Sequence, residues 1–93
     1  MAEEERTIIF VGRRPLPAYM LAIVLAIQRG TKRFTVKARG TNIPRAVDVV
    51  EAVKRRFPGQ INVTDIRIGS EEFTTEEGRK RFVSSIEIEF EVA

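Results

Sequence analysis

The chain has 93 residues, enough for one domain with a single modest core and too few for a cofactor domain beside a catalytic one. It contains no Cys and no His, which excludes disulfides, Cys/His zinc sites and the commonest nucleophiles and general bases, and its 43% apolar content excludes a disordered chain. Net charge is only +3, but twelve bases and two acids lie between Arg6 and Arg56, against four bases and eleven acids elsewhere. Local balances near +10 and −7 predict a polyanion-binding surface, the alternative being a solvated surface with uneven charge along the chain.

Residues 1–6 (Met-Ala-Glu-Glu-Glu-Arg) read as a flexible acidic tail without the apolar stretch of a secretory signal, and residues 7–93 as one domain. The β-branched and aromatic run Thr7–Val11 predicts a strand closed by Gly12; its lack of alternation suits a strand covered on both faces. Pro15 and Pro17 introduce a helix from about Pro17 to Arg29, with Gly30 as C-cap. Met20, Leu21, Ile23, Val24, Leu25 and Ile27 make it apolar nearly all round, which predicts deep packing. The longest apolar run, Ala18 to Ile27, is ten residues, too short to span a bilayer, so no membrane is expected as a partner.

Phe34, Val36 and Ala38 alternate with Thr35 and Lys37 in a second strand ended by Gly40. Thr41 or Asn42 then caps a second helix with Pro44 in its first turn. Its apolar stripe is Ile43, Ala46, Val47, Val50, Val53 and Phe57, with Val49 beside it, and Pro58-Gly59 stops it. Ile61 and Val63 fall on one parity and Ile66 and Ile68 on the other, which predicts a bulge or bend near Thr64-Asp65. Gly69 to Lys80 reads as a long hairpin arm. The last strand sets Phe82, Ile86, Ile88, Phe90 and Val92 against Ser85, Glu87, Glu89 and Glu91. The expected class is α+β, a two-layer βαβαββ domain with a mixed four-stranded sheet and two helices on one face. If the first three strands run parallel, both helix-entry loops and the hairpin tip share one sheet edge, where open α/β sheets place ligands.

That edge carries the chemistry. Gly12-Arg13-Arg14-Pro15 puts two arginines before a helix N-terminus, where the dipole disfavours cations. Lys37, Arg39 and Arg45 recur around the second N-terminus, with Asn42 between them. Helical N–H groups, glycines and flanking arginines together predict phosphate sites, solvated loop residues being the alternative. Arg79, Lys80 and Arg81 form a basic segment on the returning limb of the arm, a candidate for a DNA groove, although Glu71, Glu72, Glu76 and Glu77 share that arm. Tyr19 is expected either at a phosphate or at the margin of the core. The acidic stripe Glu87, Glu89, Glu91 should point away from any phosphate backbone. The carboxylate pairs Glu71-Glu72 and Glu76-Glu77 sit on an exposed arm without apolar burial, and the glycines do not make a P-loop. An enzyme, a cofactor and a metal are therefore not expected. The few Asn and Gln (Gln28, Asn42, Gln60, Asn62) point to a thermophilic source.

Val11-Gly12-Arg13-Arg14-Pro15 leading to Tyr19, Val36-Lys37-Ala38-Arg39-Gly40 followed by Ala46-Val47-Asp48, Arg56-Phe57, Ile66-Arg67-Ile68-Gly69-Ser70 and Ser84-Ser85-Ile86-Glu87-Ile88 together resemble the Alba family of archaeal chromatin proteins over nearly the whole chain, Ile8 to Val92. The resemblance implies a fold similar to the C-terminal domain of translation initiation factor three. It implies a cytoplasmic, chromosome-associated homodimer whose arms extend along double-stranded DNA, which it coats and condenses without sequence preference. The resemblance also implies RNA binding as a second activity, with an RNA-binding role like that of ribonuclease P protein subunits as the alternative. By position, it places Arg13, Arg14, Tyr19, Lys37, Arg39, Asn42 and Arg45 near nucleic acid, Arg79 and Arg81 on the arm, and Phe57 between dimers. The family's paired lysines, an acetylation target, are Arg13 and Arg14 here, and arginine does not accept that modification.

Overall fold

A computed structural model describes residues 6–93. The tail expected over residues 1–6 lies outside them except for Arg6, which opens the first strand opposite Arg33. The elements are β1 (Arg6–Phe10), α1 (Leu16–Gln28), β2 (Arg33–Arg39), a short 3-10 turn (Gly40–Asn42), α2 (Ile43–Arg56), β3 (Ile61–Thr74) and β4 (Lys80–Val92). They form the expected α+β, βαβαββ architecture.

Pro15 and Pro17 flank the start of α1, whose fixed φ suits a first turn. The helix ends in a Schellman arrangement. Gly30 takes φ 99°, its N–H donates to the Ile27 carbonyl at 2.9 Å, and that of Thr31 donates to Ala26 at 3.0 Å. Asn42 occupies the N-cap position of α2 but makes no capping side-chain bond. The 3-10 turn supplies the entry instead. At the other end, Lys54, Arg55 and Arg56 complement the helix dipole before Gly59 (φ 76°) turns the chain.

The sheet order is β1-β2-β4-β3. β1 and β2 are parallel, and β4 is antiparallel to both β2 and β3. Thus β1, β2 and β3 all point one way, and both helix entries and the arm leave from one sheet edge. Phe34 and Phe90 stack at the centre with ring centroids 4.9 Å apart, and Ile23, Val36, Val49 and Val53 pack around them without solvent contact. Each such side chain contributes about 1.5–3 kcal/mol by burial.

Four expectations are corrected. First, α1 is not deeply packed: only Tyr19 and Ile23 are buried, and Leu21 is 58% exposed. A single sheet face accepts one stripe of a helix, whatever the other stripes contain. Second, Val49 is buried and Val47 is exposed, because Ala46, Val49, Val50 and Val53 centre the buried face and Val47 lies beyond its edge. Third, β1 is an edge strand with only one face covered; Ile9 is buried, while Ile8 and Phe10 stand on the open face. Fourth, Phe82 keeps the parity of the buried residues of β4 but lies on the arm, beyond the helices, and is exposed.

The bulge falls where the parity slip placed it, with the β3–β4 register shifting between Val63 and Asp65. Past it, Ile66 and Ile68 pair with Ile88 and Ile86, so they share the helix-side face. Neither helix reaches them, and both are exposed. The ribbon continues to the turn at residues 75–79 and stretches the molecule to 47 Å along its longest axis.

Candidate functional site

The two helix-entry loops and the base of the arm enclose a concave surface of about 750 Å³. Arg13, Arg14, Lys37, Arg39 and Asn42 all line it. Sequence positions more than twenty residues apart meet here because β1 and β2 are parallel neighbours.

The loop after β1 is held by two side chains. The Tyr19 hydroxyl accepts the N–H of Gly12 at 2.8 Å and that of Arg14 at 3.1 Å. Tyr19 is 8% exposed, packs with the core and also lines the concave surface. From α2, Arg45 donates through Nε to the Gly12 carbonyl at 2.8 Å and through Nη2 to the Arg14 carbonyl. Its guanidinium is thus spent on loop carbonyls.

These bonds revise the picture of a helix N-terminus rich in free amides. Pro15 and Pro17 have no N–H, Ala18 donates to the Pro15 carbonyl at 2.9 Å, and the Gly12 and Arg14 amides are taken by Tyr19. The positive charge of this loop therefore comes from side chains. Arg13 and Arg14 are exposed, and neither guanidinium has a partner among the described residues. On the arm, Arg79, Lys80 and Arg81 are all exposed, and Lys80 lies 3.6 Å from Glu72.

The two other cations that line the concave surface, Lys37 and Arg39, are engaged. Arg39 Nη1 sits 3.3 Å from Glu71 on the arm, joining the edge of β2 to the base of the ribbon. Lys37 Nζ lies 3.8 Å from Glu87 and 5.7 Å from the centroid of the Phe10 ring, its cross-strand neighbour. Glu87, expected to face away from the site, lines it, as does Glu71.

On the open sheet face the acidic stripe of β4 is answered from both sides. Arg6 pairs with Glu89 at 3.2 Å and Arg33 with Glu91 at 3.4 Å. Arg67 reaches Glu87 at 2.8 Å, and Asp65 and Glu89 at 2.5 Å each. The hydrogen bonds that Arg67 donates to Glu87, then to Glu89 and Asp65, hold the pKa of its guanidinium above the ordinary value. The Arg67 bond likewise holds the Glu87 carboxyl below the usual glutamate range, helped by the charge of Lys37 and opposed by burial.

Two features escape sequence reasoning. Phe10 is 71% exposed at the lip of the concave surface, where its only signal was an aromatic residue ending a strand two positions before Gly12. Glu71 gave no sign of reaching Arg39, because that contact depends on where the arm begins. Among the described residues, no group of three or more His, Cys, Asp or Glu is arranged to hold a metal, and no helix is long and apolar enough to cross a membrane.

Three comparisons set this arrangement beside known proteins. The family model described as Alba matches residues 7–70. A protein of Nanoarchaeum equitans named DNA/RNA-binding protein Alba is 49% identical over 82 residues, covering 86% of this chain and 91% of its own. One of the same name from Methanocella arvoryzae is 46% identical over 84 residues, covering 90% and 88%. Among solved structures, Alba from Thermoplasma volcanium superposes with a TM-score of 0.83 at 38% identity, over 91% of this chain and 99% of that one. ALBA1 from Trypanosoma brucei gives 0.74 at 25% identity, over 98% and 73%.

Proposed function

The chain belongs to the Alba family, and on that premise we propose that it is a dimeric, largely sequence-independent binder of double-stranded DNA that coats and condenses it. The observation that carries this reading is the pair Arg13 and Arg14, exposed and without a partner among the described residues, on a loop held by hydrogen bonds to Tyr19 and Arg45. A preorganised cation pair neutralises phosphates of any sequence. Lys37, Arg39 and Asn42 extend the surface, and Arg79, Lys80 and Arg81 carry it along the arm toward a groove. Tyr19 and Arg45 act by positioning. We assign no turnover, cofactor or metal to the protein, and place it in the cytoplasm on the chromosome of a thermophilic archaeon.

The exposed apolar residues Ile66, Ile68 and Phe82 on the helix-side face of the ribbon support the homodimer reading. Such a face is a liability unless covered, and a two-fold partner covers it while leaving both basic edges open to one duplex. Phe57, half-buried at the end of α2, is left for contacts between neighbouring dimers.

RNA is the second reading, as a partner in an RNA–protein particle similar to ribonuclease P. The relatives named DNA/RNA-binding proteins favour it. Competition between duplex DNA and a structured RNA at one fixed salt, with light scattering of the free protein, tests the whole proposal. Preferential duplex retention by a dimer is expected. Preferential RNA retention promotes the second reading, a monomeric mass removes the dimer, and failure to bind either polymer removes both readings.

A further inference from the structure

The open face of the sheet carries a ladder of ion pairs, and Ile8 and Phe10 on the edge strand do not belong to it. The ring is 71% exposed at the free end of an edge strand, where a polar residue would suffice for folding. It stands at the lip of the same concave surface that holds Arg13, Arg14 and Arg39. Lys37, fixed from one side by Glu87 at 3.8 Å, places its ammonium 5.7 Å from the ring centroid. An aromatic ring this exposed, with Lys37 over it and arginines beside it, matches one ligand chemistry closely: a flat base joined to a phosphate. Every nucleobase has such a face, and stacking removes apolar surface from water on both partners. Bases inside a duplex are already stacked and do not reach the ring.

We propose that Phe10 is a stacking platform for an unpaired nucleobase, whose flanking phosphates lie on Arg13 and Arg14. The inference rests on the nucleic-acid reading above and adds a second binding mode to it. Duplexes use the arginines and the arm, whereas single strands use the arginines and Phe10. The phenyl ring does not sense a 2′-hydroxyl, so unpaired RNA and unpaired DNA are bound alike through this contact.

The test compares wild type, Phe10→Ala and Phe10→Trp for binding to oligouridine, oligothymidine and a blunt duplex at one salt concentration. Phe10→Ala should weaken both single strands by about tenfold and leave the duplex unaffected. The chain contains no Trp, so Phe10→Trp introduces a single reporter. It should keep single-strand affinity, and its emission should be quenched by either strand but not by the duplex. Equal losses on strand and duplex, no loss on either strand, or an altered oligomeric mass in Phe10→Ala would overturn the proposal; the last would give the ring to an interface between copies. Binding that depends on Arg13 and Arg14 but not on Phe10 defeats the platform alone. Wild-type protein that binds none of the three ligands defeats the nucleic-acid reading and the platform with it.

Discussion

Arg45 and Gly12 lie 33 residues apart in the chain, yet the guanidinium of one holds the carbonyl of the other at 2.8 Å. The same side chain also takes the Arg14 carbonyl, so one residue of α2 fixes the shape of the loop before α1. A planar fork with donors at fixed angles does this, and an ammonium on a flexible stem does not. Arg45→Lys should therefore keep the charge and still weaken duplex binding. Arg45→Ala should also lower stability by about 1 kcal/mol, read as a shifted urea midpoint. Normal affinity in Arg45→Lys would return the residue to the class of simple phosphate contacts.

Arg13 and Arg14 carry the opposite expectation. If each protomer of a dimer neutralises about three phosphates, the log–log dependence of affinity on salt has a slope of about −5. Removing both arginines should flatten it to about −2, with every duplex sequence weakened alike. A slope that does not change, or a loss confined to one sequence, would place the electrostatic contact elsewhere.

Glu71 competes with the ligand. Its carboxylate, 3.3 Å from Arg39, occupies a cation that faces the concave surface. The pair is solvent-exposed and worth little to folding, so its removal is tolerated. Glu71→Gln should tighten duplex binding several-fold and steepen the salt slope by about one per protomer as Arg39 gains a phosphate. Unaltered affinity and slope would mean that Arg39 takes no part.

Acid sensitivity should centre on the open face. The Glu87 carboxyl is held below its ordinary value, chiefly by the Arg67 hydrogen bond. A depressed carboxyl binds its proton less readily when folded than when unfolded. Its stabilisation is therefore full above the ordinary glutamate value and is lost as pH falls through the lower folded value. Urea titrations across that acidic window should show Glu87→Gln with a shallower pH dependence than wild type. Equal dependence would assign the acid limb to other carboxylates.

Phe57 has Arg56 over its ring, with the guanidinium 5.0 Å from the centroid, and one side of it rests on the core. Phe57→Ala should leave the dimer mass unchanged and reduce cooperativity on long DNA. Because the ring is half-buried, the change should also cost about 2 kcal/mol in stability. Full cooperativity in the variant would make Phe57 a core residue only.

Element types and the bulge were legible because apolar spacing records local geometry. The sequence also placed the basic loops on one edge, since that follows from strand direction. It did not reveal which cations are free. The basic stretch from Arg6 to Arg56 meets the acidic last strand across the sheet because β4 inserts between β2 and β3, and Arg6, Arg33 and Lys37 find Glu89, Glu91 and Glu87 there. Charge counted along a chain does not anticipate that adjacency. Nor did the helical pattern show which stripe of α1 would be covered: an apolar residue such as Leu21 looks the same in sequence whether a sheet lies over it or not.

The bulge at Thr64 separates two properties of the arm that ordinarily change together. Ile61 and Val63 before it and Ile66 and Ile68 after it share one face, because the slip in register cancels the slip in sequence parity. Deleting Thr64 would leave each of these side chains on its present face and remove the local bend and extra twist that a bulge imposes. The arm would keep its chemistry and change its trajectory. Thr64 therefore serves as a steering element: it decides where the distal arginines travel without touching what they meet.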